Sequence, residues 1–111
     1  LEKLGKHCVT EVYGCSALLL NDVEFLKSAF VEAINKSKAT LLNISYHQFD
    51  PHGITMVALL SESHLSIHTW PERQCAAIDA FTCGDCDPRP AILHLVMELQ
   101  SSNHKTNCFD R

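Results

Sequence analysis

No cluster of lysine and arginine marks this chain; nine basic residues against thirteen acidic ones leave a net charge of −4. The electrostatic footprint of a nucleic-acid binder is therefore missing. No apolar run approaches the roughly 18–20 residues that span a bilayer, and no signal peptide is visible from Leu1 to Val12. The initiator methionine is absent, which suggests a trimmed start or an internal numbering. There is no internal repeat, no low-complexity tract, and no second C-x-x-C to complete the half zinc site offered by Cys83 and Cys86. What is present fits one globular domain: 111 residues, 46% of them apolar. A chain this short buries only about 60–70% of its unfolded surface, so a homodimer would supply useful extra burial. The six cysteines are Cys8, Cys15, Cys75, Cys83, Cys86 and Cys108. Without a secretory context, reduced thiols in the cytoplasm are the expectation.

Hydrophobic periodicity divides the chain into strands and two helices. Gly5 to Ser16 has a strand-like centre, and Asn21 and Asp22 offer N-caps for an amphipathic helix over Asp22 to Lys36. Thr40 to Phe49 and Ile54 to Leu60 read as a hairpin around the turn Asp50-Pro51-His52-Gly53. Ser63 to Trp70 alternates, with Leu65 and Ile67 on one face and His64, Ser66, His68 and Trp70 on the other. Pro71 ends that strand, and Cys75 to Thr82 forms the next. Ala91, Ile92, Leu95, Val96 and Leu99 mark a second helix, and Ser101 to Arg111 reads as a frayed tail or a short extra strand. The expected fold is an α+β two-layer sandwich, an antiparallel sheet of about four or five strands with two helices on one face.

The stretch from Ser61 to Gly84 carries more hydroxyl, carboxylate, imidazole and thiol groups than an ordinary strand pair. A buried polar group without a partner costs about 1–3 kcal/mol, so Glu62, Ser63, His64, Ser66, His68, Thr69 and Cys83 are expected to have a use. Each candidate also has a plainer reading. Ser63 could cap a strand, Thr55 could be an ordinary β-branched residue, and His68 a satisfied histidine on a polar face. Cys83 could be a small buried hydrophobe, Phe49 and Trp70 core aromatics, and Glu72 a turn carboxylate.

The pattern as a whole favours the functional readings. Glu62-Ser63-His64, Ile67-His68-Thr69-Trp70-Pro71-Glu72, Ala77-Ile78-Asp79 and Phe81-Thr82-Cys83-Gly84 closely resemble the processing and active-site segment of the bacterial and archaeal S-adenosylmethionine decarboxylases. The resemblance runs from Leu4-Gly5-Lys6-His7 through Glu11-Val12-Tyr13 and Phe49 to Asp87-Pro88. It implies that the chain cuts itself between Glu62 and Ser63, giving a β chain of 1–62 and an α chain of 63–111, and that Ser63 becomes a covalent pyruvoyl cofactor. Ser63 would attack the Glu62 carbonyl from a strained near-attack geometry. His68 would be the base for the elimination that follows, and the Thr55 hydroxyl, where relatives usually carry serine, would steady the oxyanion. The pyruvoyl carbonyl would hold the substrate amine as a Schiff base and act as electron sink. Cys83 would then protonate the carbanion. Phe49 and Trp70 would line the adenosine pocket and Glu72 would take the ribose hydroxyls.

The resemblance also implies a homodimer, S-adenosylmethionine as the small-molecule partner, spermidine synthesis as the destination of the product, and no metal. Four residues depart from the pattern. Gln74 and Cys75 stand where relatives usually have a glycine and an aromatic, while Asp50 and Arg73 add charges beside the pocket residues. Three alternatives stay open: the same chemistry on ornithine or arginine, a metal-binding module, and a non-catalytic regulatory paralogue.

Overall fold

A computed structural model describes residues 2–111. Six strands, β1 Lys6–Tyr13, β2 Leu41–Gln48, β3 Ile54–Leu60, β4 Ser63–Trp70, β5 Cys75–Thr82 and β6 Asn103–Asp110, form one sheet in the order β2-β3-β4-β5-β1-β6. Every neighbouring pair is antiparallel. Helices α1 Ala17–Leu20, α2 Val23–Lys36 and α3 Arg89–Glu98 complete the chain, with a single 3-10 turn at Pro71–Arg73. This is the α+β sandwich expected. No helix among the described residues is long and apolar enough to cross a membrane.

Alternation decides which face is covered. Cys8, Thr10 and Val12 of β1, Ile54, Met56 and Ala58 of β3, Leu65 and Ile67 of β4 and Ala76, Ile78 and Ala80 of β5 are all buried, together with Leu26, Phe30, Ala33 and Ile34 of α2 and Ile92 and Leu95 of α3. Each fully buried Leu, Ile or Phe contributes about 1.5–3 kcal/mol relative to exposure. The intervening residues, among them His7, Glu11, Thr55, His68 and Asp79, lie on the face that no helix covers, and none of these is fully buried. Helix α2 starts where Asp22 accepts a hydrogen bond from the Phe25 N–H at 3.0 Å, with Glu24 in the first turn and Lys36 in the last, both favourable to the helix dipole.

Three features differ from the sequence expectation. The segment after Ser102 is a full edge strand, paired with β1 from Lys6↔Asp110 to Tyr13↔Asn103. It is exposed along its whole length, so it has no apolar alternation to betray it. A third helix, α1, is four residues long, too short for a period. Finally, the thiols are not all reduced: Cys8 and Cys108 face each other in the β1–β6 register and form a disulfide. Cys15, Cys75, Cys83 and Cys86 are free.

Candidate active site

The β3–β4 hairpin turns through Ser61 and Glu62, and Glu62 adopts φ of +59°. A left-handed backbone costs a non-glycine residue about 1–2 kcal/mol. That strain sits on the residue that supplies the carbonyl of the Glu62–Ser63 peptide. Ser63 is held by the end of β5: the Cys83 N–H donates to Ser63 Oγ at 3.3 Å, and Ser63 Oγ points at Cys83 Sγ at 3.9 Å. The Cys83 thiol in turn lies 3.5 Å from Glu62 Oε2. Glu62, Ser63 and Cys83 thus form one cluster.

A second cluster sits at the opposite end of the hairpin. Thr55 pairs with His68 across β3 and β4, and Thr55 Oγ1 shares a hydrogen bond with His68 Nδ1 at 3.1 Å. Phe49, Thr55, His68, Trp70 and Glu72 line one cleft of about 290 Å³, with His52, Gly53, Ile54 and Thr69. Phe49 is 48% exposed and Trp70 39%, so both present aromatic surface to a ligand. His52 Nε2 lies 3.0 Å from Glu72 Oε1, which leaves the other carboxylate oxygen of Glu72 available. Below the cleft, Thr69 Oγ1 accepts from the Ile54 N–H at 2.9 Å and donates to the Leu20 carbonyl at 2.8 Å, tying α1 to its floor. A larger hollow of about 750 Å³ lies on the far side of His52 and Glu72 against α1 and α2, but neither aromatic lines it.

Five of the eight residues singled out in the sequence therefore share one cleft and three share the hairpin tip. Within one chain the two groups do not meet. Ser63 and His68 are five residues apart in an extended strand, about 16 Å at 3.3 Å per residue.

Between them, on the uncovered face, lies a group with no role assigned from sequence. His7 Nε2 and His64 Nε2 each approach Asp79 Oδ2 at 2.8 Å, and Ser66 Oγ donates to Asp79 Oδ1. Burial raises the Asp79 pKa, but the hydrogen bonds from Ser66, His64 and His7 outweigh it, and the carboxyl titrates below its usual range. Alternation already placed His64, Ser66 and Asp79 on one face. His7 joins them because β1 inserts beside β5, which no local pattern reveals. A depressed carboxyl stabilises the fold above its unfolded-state pKa of about 3.9 and ceases to do so as pH falls through the folded value. Asp79→Asn should accordingly lower the thermal midpoint at pH 7, with the gap to the unsubstituted protein closing below about pH 4. A gap that stays constant down to acid pH would contradict this linkage.

The departures have structural places. Gln74 has φ of +52°, and its side chain donates to the Cys15 carbonyl at 3.1 Å. A left-handed position is where the expected glycine would sit without strain. Asp50 and Arg73 are exposed, next in sequence to Phe49 and Glu72. Cys83 and Cys86 do not converge as metal ligands: Cys86 Sγ is directed at the Lys38 carbonyl and Cys83 Sγ at Glu62.

Comparison with known proteins shows the family and the fold. The family model described as S-adenosylmethionine decarboxylase matches residues 6–111. An S-adenosylmethionine decarboxylase proenzyme of Prochlorococcus marinus (strain MIT 9313) is 50% identical over 109 residues, covering 97% of this chain and 87% of the relative. The proenzyme of Clostridium tetani (strain Massachusetts / E88) is 42% identical, covering 93% and 82%. A crystal structure of the adenosylmethionine decarboxylase from Aquifex aeolicus VF5 superposes with a TM-score of 0.90 at 33% identity, over 100% of this chain and 92% of that one. This chain belongs to the S-adenosylmethionine decarboxylase family.

Proposed function

We propose that this protein is a self-processing proenzyme that decarboxylates S-adenosylmethionine, yielding the aminopropyl donor for spermidine synthesis. The observation that carries the reading is the hairpin tip, where the Ser63 hydroxyl is fixed beside Cys83 next to a peptide carbonyl on a left-handed residue. Ser63 Oγ adds to the Glu62 carbonyl carbon and the amide nitrogen leaves, so an ester replaces the peptide bond. Removal of the Ser63 Cα proton expels the Glu62 carboxylate, and hydrolysis of the resulting enamine as its imine releases ammonia and leaves pyruvate at the new terminus. The products are a β chain of 1–62 and an α chain of 63–111. Bound there, the pyruvoyl group supplies the electron-withdrawing carbonyl that lets carbon dioxide depart.

The other residues bind and move protons. Cys83 holds a proton beside position 63 and delivers it to the carbon that lost carbon dioxide. Phe49 and Trp70 offer aromatic faces for the purine and for the sulfonium cation, and the free oxygen of Glu72 accepts from the ribose hydroxyls. Asp50 and Arg73, beside these groups, are the residues able to modulate substrate choice. Carbon dioxide release from S-adenosylmethionine, with none from ornithine or arginine, is the expected result of a direct assay; the reverse would move the substrate assignment.

The separation of the two clusters is accounted for by a homodimer. The uncovered sheet face carries Val57, Leu59 and Phe81 among its polar residues, and a twofold interface is self-complementary. Packing two such faces antiparallel would bring the Ser63 end of one copy to the Thr55–His68 end of its partner. His68→Ala alone should accumulate uncleaved protein. Coexpressed with Ser63→Ala, which retains its own histidine, the His68→Ala chain should be cut. Failure of that rescue in verified mixed dimers would return the base to the same chain. We place the enzyme in the cytoplasm, in keeping with four free cysteines.

A further inference from the structure

We propose that Glu32, His94 and Glu98, on the outer side of the helical layer, form a binding site for a single zinc ion that fastens α3 to α2. His94 and Glu98 are one turn apart on α3 and share a face, and Glu32 projects from α2 to meet them. His94 Nε2 lies 3.2 Å from Glu32 Oε2 and 3.4 Å from Glu98 Oε1. All three ligand atoms fall within 4.8 Å of one another. A tetrahedral zinc centre with bonds of about 2.0–2.1 Å has ligand-to-ligand edges of about 3.3 Å, so the two nitrogen–oxygen separations are those of a coordination shell.

The second observation is the imidazole nitrogen itself. The His94 side chain is only 13% exposed. Its Nε2 is a buried polar side-chain atom without a hydrogen-bond partner, although two carboxylates stand beside it. Buried polar atoms are rarely left so. The contrast with His7 and His64 is instructive, since both of those rings are hydrogen-bonded to Asp79 and need no ion. One neutral imidazole and two carboxylates carry two negative charges, matching a divalent cation, and nitrogen-oxygen sets suit zinc. An adjoining hollow of about 540 Å³, lined by Lys36, Leu93, His94, Met97 and Glu98, leaves room for water in the fourth position. Lys36 is the cationic residue among those lining that hollow.

Purified protein holding both segments, 1–62 and 63–111, stripped with a chelator, should be titrated with zinc chloride by calorimetry and metal analysis, and its thermal midpoint followed. We expect one zinc equivalent per chain that Glu98→Gln or Glu32→Gln weakens at least tenfold and His7→Ala leaves in place. Zinc should raise the thermal midpoint of the unsubstituted protein but not of the Glu32→Gln/Glu98→Gln double variant. Glu32 is exposed, Glu98 is half-buried and both changes are isosteric, so folding is kept even where His94→Ala loses it. Decarboxylase turnover of Glu98→Gln should be unchanged, because Glu98 belongs neither to the hairpin-tip cluster nor to the Phe49–Trp70 cleft. Absence of zinc binding, binding indifferent to both glutamates, or binding lost with His7→Ala would each overturn the site.

Discussion

Ser63→Ala should leave a single full-length chain with no detectable decarboxylation. The alanine keeps the fold, since Ser63 is only half-buried and its side chain adds one hydroxyl to the hairpin tip. It removes the hydroxyl that the proposed mechanism uses to attack the Glu62 carbonyl, and with it the carbon–oxygen bond that must break to make pyruvate. Both the cut and the cofactor therefore vanish together. Denaturing electrophoresis reads the first and carbon dioxide release reads the second. A variant that remained uncut but turned over substrate at the normal rate would separate the two and end the pyruvoyl assignment.

Cys83→Ala should be the second large effect, and of a different kind. The thiol stands 3.9 Å from Ser63 Oγ and 3.5 Å from Glu62 Oε2, close enough to protonate a carbon built at position 63. A general acid of this kind contributes about 10²–10⁴-fold. Processing depends on the Ser63 hydroxyl and on a base, so it should persist at least in part. The backbone N–H of residue 83, which holds Ser63 Oγ, survives the substitution. Cleaved protein with turnover reduced by about that factor is the expected pairing. Normal turnover would remove Cys83 from the mechanism, and a complete block of cleavage would move it into the processing step instead.

The fold was readable where its signals are local. The alternation over Ser63 to Trp70 and over Cys75 to Thr82 carried the strand bounds without error, and Asp22 with the spacing of Leu26, Phe30 and Ala33 marked α2. What local pattern cannot carry is register. Strand β6 is exposed on both faces, so its sequence obeys no burial period, and the Cys8–Cys108 bridge exists only because that strand lies beside β1. Asp79 gains His7 for the same reason. The partition of the site into two clusters was implicit in the extended spacing of Ser63 and His68, but it acquires meaning only when β3 places Thr55 opposite His68 and β5 places Cys83 beside Ser63.

The central claim is that Ser63 becomes the cofactor, and an intact mass spectrum of the purified protein under denaturing conditions tests it most directly. The account predicts two chains divided between residues 62 and 63, the C-terminal one beginning with pyruvate in place of serine. Two chains divided there but with an unaltered serine would mean simple hydrolysis. A single chain of full mass in protein that decarboxylates S-adenosylmethionine would contradict the account outright.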